Sequence, residues 1–345
     1  MSVSCCKRSD RMEHRHRAKQ LKNICSVIII IALTALNFSQ PVQLPTGNSK
    51  FKASLEKYAT KATAVRKKNE LPIVDAIMYH GEPILLVRLE LLYDVVDRFY
   101  ITESTATFSG NPKPLYSKQQ LDDFAPYQDK ITWLIYEPSK NIRDAWARER
   151  EQRDFALTQM RSDVEDKRLK TPFVVVNTDG DELVNPKILT DMQPGRPWHS
   201  QVVNQAMHLQ MDFFYYNANW KRGVWAMGHV LPGEKLLTGE YSLNTFRSGR
   251  KKQQPFIPEA IPEAGWHLSY FLSIDEIINK IESFSHQEFN KPRFKNRDWI
   301  TNCIHNGTDL YGRGTGQMTP YNTTNLPLPI RRFHQDVVAR QNITQ

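Results

Sequence analysis

The sequence predicts an α/β domain with a central, mostly parallel sheet, preceded by a single transmembrane helix. Strand-like and helix-like patterns alternate after Leu71, which is typical of an α/β fold. Phe173–Asn177 (FVVVN) is so apolar that both of its faces should be covered, as in the middle of a parallel sheet. Ile24–Phe38 contains no charged side chain and directly follows a basic segment, which favours a membrane span.

The N-terminal region is predicted to form a cytosolic basic tail (1–22), a signal anchor that spans a membrane (23–42) and a stem (43–70). The 15 uncharged residues of the apolar run cover about 22 Å as a helix, short of a hydrocarbon layer of about 30 Å. The span therefore needs interfacial residues and a thin bilayer. The alternatives are a cleaved signal peptide, a buried core helix or, more weakly, a mitochondrial presequence.

This topology places a domain of residues 71–335 and a C-terminal tail of residues 336–345 in the lumen. The expected location is a Golgi membrane, or another membrane of the secretory pathway, with the protein in single-pass type II orientation. Possible glycosylation sequences agree with a lumenal C-terminus and begin at Asn306, Asn322 and Asn342.

The distribution of charge argues against a nucleic-acid-binding protein. The chain has a net charge of +9, but residues 1–22 and 50–70 each carry +5, which leaves −1 for residues 71–345. A nucleic-acid-binding domain is expected to carry a basic surface. The excess positive charge instead belongs to the tail and the stem, and no nucleic-acid partner is expected.

Within residues 71–335 the elements follow in order. The predicted strands are short and apolar and comprise Ile73–Tyr79, Phe99–Thr102, Ile131–Tyr136 and Phe173–Asn177. The predicted helices have helical apolar spacing or a capping box and comprise Pro83–Leu92, Ala145–Arg161 and Ser273–Ser283. Ala206–Asn219 is aromatic and partly alternating, which is typical of strands or of a loop packed against the sheet.

An acidic motif, Asp179-Gly180-Asp181-Glu182, comes directly after the apolar strand that ends at Asn177. Ligands of open α/β sheets bind outside the carboxyl ends of the strands. Carboxylates at that place suit a hard divalent cation, which in turn offsets the charge of a diphosphate leaving group. The alternative is a polar turn, because Asp-Gly-Asp is also a common turn sequence.

The acidic motif and several other segments, in this order along the chain, resemble glycosyltransferase family 17. The segments that carry the resemblance are Val74–Ala76, Leu92–Asp97, Glu103–Ser104, Thr107–Leu115, Trp146, Arg148–Glu149, Gln152–Arg153, Asp179–Glu182 and Gly265–Ser269. The sequence departs from the family pattern at Asn177-Thr178, at Leu183–Pro186 and after Gly312. Because of these departures, the resemblance does not determine the identity of the acceptor.

The resemblance implies a GT-A-like nucleotide-sugar-binding fold and an inverting transferase. It implies UDP-N-acetylglucosamine as the donor, Mn²⁺ as the divalent metal, and a glycan acceptor such as the β-mannose of an N-glycan core. The alternative function is a catalytically silent lumenal domain that binds glycans or assists another enzyme.

Roles for individual residues follow from the motifs and the resemblance. Asp181, Asp179 and His267 are predicted metal ligands, with a solvated turn or a buried hydrogen-bonded histidine as the alternatives. The predicted donor-binding residues are Glu103, Arg148, Arg153 and Asp179, for which a capping carboxylate and a solvated charged helix are the alternatives. Glu182 is predicted to orient a ligand or the donor sugar, or else to be a charge at a helix N-terminus.

An inverting transfer also requires a base that accepts the proton of the acceptor hydroxyl. Asp298 is the predicted base because it falls in a matching segment, and Glu263 and Asp275 are the alternatives. A cluster of aromatic side chains is predicted to line a sugar-binding cleft or to form core, and comprises Phe213, Phe214, Tyr215, Tyr216 and Trp220.

Overall fold

The computed structural model describes residues 70–247, 260–314 and 317–341. Within these ranges no helix has both the length and the apolar character that a membrane crossing requires. The predicted transmembrane helix of residues 23–42 has no support from the described residues, and it lies outside them, as do the basic tail, nearly all of the stem and Asn342.

A single curved sheet organises the described residues. Its strands are β1 (Ile73–Tyr79), β2 (Arg98–Ser104), β3 (Ile131–Tyr136), β4 (Val174–Asn177), β5 (Glu182–Val184), β6 (Met207–Tyr215), β7 (Asn217–Pro232), β8 (Ala260–Ser269) and β9 (Thr319–Pro320). They are arranged in the order β3-β2-β1-β4-β7-β6-β8-β5, with β9 paired to β7.

Helices of very different lengths connect the strands. They are α1 (Ile84–Leu92), α2 (Tyr116–Gln119), α3 (Leu121–Phe124), α4 (Ala145–Glu165), α5 (Pro186–Thr190), α6 (His199–Asn204), α7 (Gly233–Leu237), α8 (Ile274–Ser283), α9 (Arg297–Asn306) and α10 (Leu328–Gln341). Short 3₁₀ turns occur at Ala125–Lys130, Gln287–Phe289, Pro292–Lys295 and Thr323–Asn325.

The prediction of a mostly parallel sheet is wrong, because the sheet is mixed. Strands β3, β2, β1 and β4 run parallel to one another. Strand β7 is antiparallel to both β4 and β6, β8 is parallel to β6 and β5 is antiparallel to β8. The fold is therefore a mixed α/β half-barrel, in which a hairpin of β6 and β7 extends a parallel half.

Helices cover both faces of the parallel half. Val174 and Val176 of β4 share a core cluster with Leu85 and Leu89 of α1 on one face. Val175 packs on the opposite face in a second cluster, together with residues of α4. This alternation follows from the two-residue period of a strand, and it explains why FVVVN has no polar side.

The connection between β4 and β5 requires strong curvature of the sheet. Four residues, 178–181, join Asn177 to Glu182, although β7, β6 and β8 lie between these two strands in the sheet. Four strand spacings in a flat sheet span about 19 Å. A connection of this length reaches at most about 17 Å when fully extended, and here it turns, with Glu182 N–H donating to Asp179 O at 3.0 Å. The sheet must curl so that its β5 edge returns toward β4.

Candidate active site

A cleft of about 740 Å³ is lined in part by the connection between β4 and β5. It is lined by residues that follow β1 and β4 and by side chains of β6, β8 and α8, among them His80, Asp179, Asp181, His267 and Lys280. The carboxyl ends of β1 and β4 therefore contribute to its wall, as expected for ligand sites of α/β sheets.

Arg88 of α1 donates hydrogen bonds to the backbone of the acidic motif. Its guanidinium pairs with both carboxylate oxygens of Asp75 at 2.6 and 2.7 Å, and neither side chain is exposed. The same group donates to Asp179 O at 3.0 Å, to Glu182 O at 2.8 Å and to Thr178 Oγ1 at 2.6 Å. The loop is thus fixed by charge-assisted hydrogen bonds, which are stronger than neutral ones.

Two arginines engage the carboxylate of Asp179. Arg153 donates to Oδ1 at 2.9 Å, and Arg247 donates to Oδ2. Burial opposes ionisation of Asp179, but the positive charges of Arg247 and Arg153 outweigh it and lower the pKa of Asp179. Asp179 is therefore a carboxylate whose oxygens face guanidinium groups.

Glu182 is completely buried and links Asp179 to β7. Its carboxylate accepts hydrogen bonds from Asp179 N at 2.9 Å, from Trp225 Nε1 at 2.7 Å and from Arg247 at 3.0 Å. Glu182 begins strand β5, so the alternative of a charge at a helix N-terminus does not describe its position. Through these contacts it orients Arg247 and Trp225 at the wall of the cleft.

Asp181 lies beside a lysine and a histidine in the wall of the cleft. Lys280 Nζ lies 3.1 Å from Asp181 Oδ2, and His267 Nε2 lies 3.6 Å from Oδ1. Burial raises the pKa of Asp181, but Lys280 and His267 outweigh it and the net pKa is lowered. Burial lowers the pKa of His267 against the opposing effect of Asp181, Glu182 and Asp179, which favours the unprotonated imidazole.

Asp181 and His267 fit a divalent metal by the chemistry of their donor atoms. A carboxylate suits Mn²⁺, and the nitrogen of an unprotonated imidazole is a common metal ligand. Within the described residues no group of three or more His, Cys, Asp or Glu side chains is placed to hold a metal. Two protein ligands suffice for a metal that arrives with a nucleotide, because phosphates and water complete the coordination shell of such ions.

Aromatic rings fix the orientation of His267. Phe213 stacks on the imidazole at 4.6 Å between ring centroids, with planes 5° apart, and the Trp225 ring lies 4.5 Å away. The partner strands β6 and β5 flank His267, which pairs with Phe213 on one side and Glu182 on the other. The imidazole therefore has little freedom to rotate.

Residues 49–322, about four-fifths of the chain, match the model of the family described as glycosyltransferase family 17. The chain belongs to glycosyltransferase family 17. No curated protein matches the chain in a direct sequence comparison.

Three predicted donor-binding residues of this family 17 glycosyltransferase, Glu103, Arg148 and Arg153, are not among the residues that line the cleft. Glu103 is fully buried and accepts hydrogen bonds from the backbone N–H groups of Tyr116 and Ser117, at 2.6 and 3.1 Å. This is the capping arrangement that the sequence offered as the alternative. Arg148 donates to the carbonyl oxygens of Phe108 and Ile142 at 2.8 and 2.6 Å, and so fixes the loop after β2.

The three candidate bases are exposed and do not line the cleft. Asp298 lies in the first turn of α9, Asp275 pairs with Arg297, and Glu263 lies on β8.

Of the carboxylates that do line the cleft, Glu149 pairs with Arg153, and Asp179 and Asp181 of the acidic motif are also paired. Glu82, which follows β1, lines the cleft and forms no ion pair within 4 Å among the described residues, but together with Asp181 it acts against burial to raise the pKa of Lys280.

Three residues at the cleft of this family 17 glycosyltransferase, Arg247, Lys280 and Glu82, are not among those that the sequence motifs predict. Lys280 lies on α8. The capping box predicts that helix, but it does not predict where the helix lies relative to Asp181. Arg247 lies outside every recognised motif. Glu82 follows a predicted strand at its carboxyl end, and that position was the one available signal.

The aromatic cluster divides between cleft and core. All four of Phe213, Phe214, Tyr215 and Tyr216 are buried, but only Phe213 and Tyr215 of them also line the cleft. Trp220 donates from Nε1 to Ile304 O at 2.7 Å.

Two predicted glycosylation residues, Asn306 and Asn322, are exposed. Exposure is what attachment of a glycan requires.

Proposed function

We propose that the protein transfers N-acetylglucosamine from UDP-N-acetylglucosamine to a glycan acceptor, such as the β-mannose of an N-glycan core, with inversion at the anomeric carbon. The observation that carries this proposal is the position of Asp181. Its carboxylate follows a buried strand, on the wall of a large cleft, between the imidazole of His267 and the ammonium group of Lys280. The lumen of the Golgi or of another secretory compartment is the location that this reaction implies.

The donor's diphosphate would lie near Asp181 and Lys280. When bound by Asp181 and His267, Mn²⁺ would supply Lewis-acid stabilisation of the departing diphosphate. Lys280 Nζ lies in the cleft wall beside Asp181 and adds a positive charge at the same place. Asp179 and Arg153 keep the loop in position, because their ion pair joins it to α4.

Glu82 is the base in this proposal. Its carboxylate accepts a hydrogen bond from His80 N at 3.0 Å, lines the cleft, and forms no ion pair within 4 Å among the described residues. It takes the proton of the acceptor hydroxyl while that oxygen bonds to the anomeric carbon. The bond from that carbon to the diphosphate breaks, and UDP leaves with the electron pair.

The test is an assay of the full chain with UDP-N-acetylglucosamine and N-glycan acceptors, with and without Mn²⁺, analysed by mass spectrometry. We expect a product heavier by one N-acetylhexosamine, formed only with the metal, and a Glu82→Gln variant that still binds UDP but transfers at least about 10²-fold more slowly. Transfer by Glu82→Gln at the wild-type rate would remove the base role.

The same assay addresses the alternative of a silent glycan-binding domain. Failure to transfer from any UDP-sugar tested, together with a melting temperature that UDP and Mn²⁺ leave unchanged, would contradict the proposed enzyme. A ligand that binds the folded state must raise its stability, so the thermal measurement detects donor binding independently of turnover.

A further inference from the structure

A second cavity, of about 540 Å³, shares one wall residue with the cleft. Its lining residues are Arg293, Phe294, Asn296, Trp299, Tyr311 and Gly312. Tyr311 also lines the cleft, so the two cavities are neighbours. The volume falls within the range of about 300–1,000 Å³ that is usual for small-molecule sites. The transfer reaction proposed above makes no use of this cavity.

Trp299 presents an exposed aromatic face in a fixed orientation. The residue is 40% exposed, which is unusual for so large an apolar side chain. Its indole N–H donates to Leu310 O at 2.9 Å, and its backbone N–H donates to Asn296 Oδ1 at 2.8 Å. A ligand that stacks on this ring would lose little affinity to the ordering of the side chain.

A hydrogen-bond donor, Arg293, lines the same cavity as this aromatic face. The Arg293 guanidinium lies 4.3 Å from the centroid of the Phe294 ring and has no hydrogen-bond or ion-pair partner recorded among the described residues. A pyranose ring has an apolar face of C–H groups and a rim of hydroxyl groups. An aromatic plane with donors at its edge is complementary to such a ring.

The wall between the two cavities is rigid. Tyr311 stacks on Phe289 at 4.2 Å between centroids, meets Phe294 edge-on at 5.0 Å, and forms a hydrogen bond with the Tyr270 hydroxyl. Because Tyr311 is held from three sides, the wall between the cleft and the second cavity has little freedom to move. Two or more linked sugar rings can pass along this wall and occupy both cavities.

We propose that the second cavity binds an outer sugar of an oligosaccharide acceptor whose reacting sugar lies in the cleft. This inference rests on the proposed function, and it adds that the preferred acceptor is an oligosaccharide that reaches Trp299. The site selects acceptors by length, since a monosaccharide in the cleft cannot contact it.

The test compares a β-mannoside monosaccharide with a biantennary N-glycan oligosaccharide as acceptors of the full chain. In Trp299→Ala the KM for the oligosaccharide should rise about tenfold, the size of effect expected for one lost aromatic contact. The preference for oligosaccharide over monosaccharide should fall by the same factor. Trp299→Phe should retain most of the preference, and Leu121→Ala, a truncation of another exposed apolar side chain, should behave as wild type.

Binding of the same oligosaccharide, measured by saturation-transfer NMR without turnover, separates this inference from the proposed function. Loss of oligosaccharide binding in Trp299→Ala supports the outer site even if no sugar donor is turned over. Unchanged oligosaccharide KM and unchanged NMR contacts in a folded Trp299→Ala protein overturn the inference, while transfer by the wild type leaves the enzyme proposal intact.

Discussion

Arg88 and Asp75 form a bidentate ion pair with no solvent exposure at either side chain. The pair joins α1 to β1, and the remaining donors of Arg88 reach the acidic loop that ends at Glu182. Removal of one member of a buried pair leaves the other charge without compensation. The pair therefore supports both the fold and the site.

We expect Arg88→Met to lower the free energy of unfolding by about 3–5 kcal/mol, because the buried Asp75 carboxylate loses its partner. Chemical denaturation measures the change. Arg332→Met is the matched control, since Arg332 pairs with Glu90 at a partly exposed position and should cost at most about 1 kcal/mol. Equal losses in the two variants would contradict the role assigned to Arg88.

Asp181→Asn is expected to reduce transfer by about 10²-fold or more, because it removes the charge that supports stabilisation of the leaving group. The melting temperature in the absence of ligand should change by only a few degrees, whereas the increase caused by UDP and Mn²⁺ should disappear. Asp191→Asn, at an ion pair with Lys187, is the control. An Asp181→Asn enzyme with wild-type turnover would refute the metal-ligand role.

Gly265→Ala should destabilise the junction of β5 and β8. An added Cβ would lie 2.0 Å from Leu183 O, at a backbone φ of +150°, so the two strands must separate at a cost of at least about 1–3 kcal/mol. Activity should fall as well, because this pairing sets Glu182 against His267. Gly195→Ala is the control that separates backbone strain from steric overlap, since Gly195 also has a positive φ but has open space around it. Similar losses of stability in Gly265→Ala and Gly195→Ala would leave no role for the steric overlap.

Asp163 gives the stability a defined dependence on pH. Burial raises the pKa of Asp163, but hydrogen bonds from Tyr100, Gln159 and Arg168 outweigh it and lower the net pKa. Its contribution is therefore complete above the unfolded pKa of about 3.9 and is lost as the pH falls through the lower folded value. The stability difference between wild type and Asp163→Asn, from urea denaturation, should be constant above about pH 5 and shrink below about pH 4. An equal difference at both ends of this range would exclude the linkage.

Local elements of the fold were predictable from the sequence. Ile73–Tyr79 and Ile131–Tyr136 have the predicted bounds, because short apolar runs between polar turns specify strands without long-range information. The capping box of Ser273 and Glu276 also forms as predicted, since both partners lie within one turn. The resemblance to family 17 is confirmed by the match over residues 49–322.

Strand direction and the contacts of the site were not predictable in the same way. β7 pairs with β4, β6 and β9, and nothing within the strand itself indicates that these three are its neighbours. Lys280 lies 99 residues after Asp181, and Arg247 lies 68 residues after Asp179. Such pairs arise from the curl of the whole sheet, so they are visible only after the chain has folded.

The four-residue connection from β4 to β5 limits how far these two strands of the half-barrel can move apart. Because it links the middle of the sheet directly to its edge, the mouth of the cleft cannot widen unless strands β7, β6 and β8 flatten together. The width of the cleft therefore depends on how easily these strands bend. Ligands of different size must be accommodated by side chains at the cleft entrance rather than by movement of the backbone.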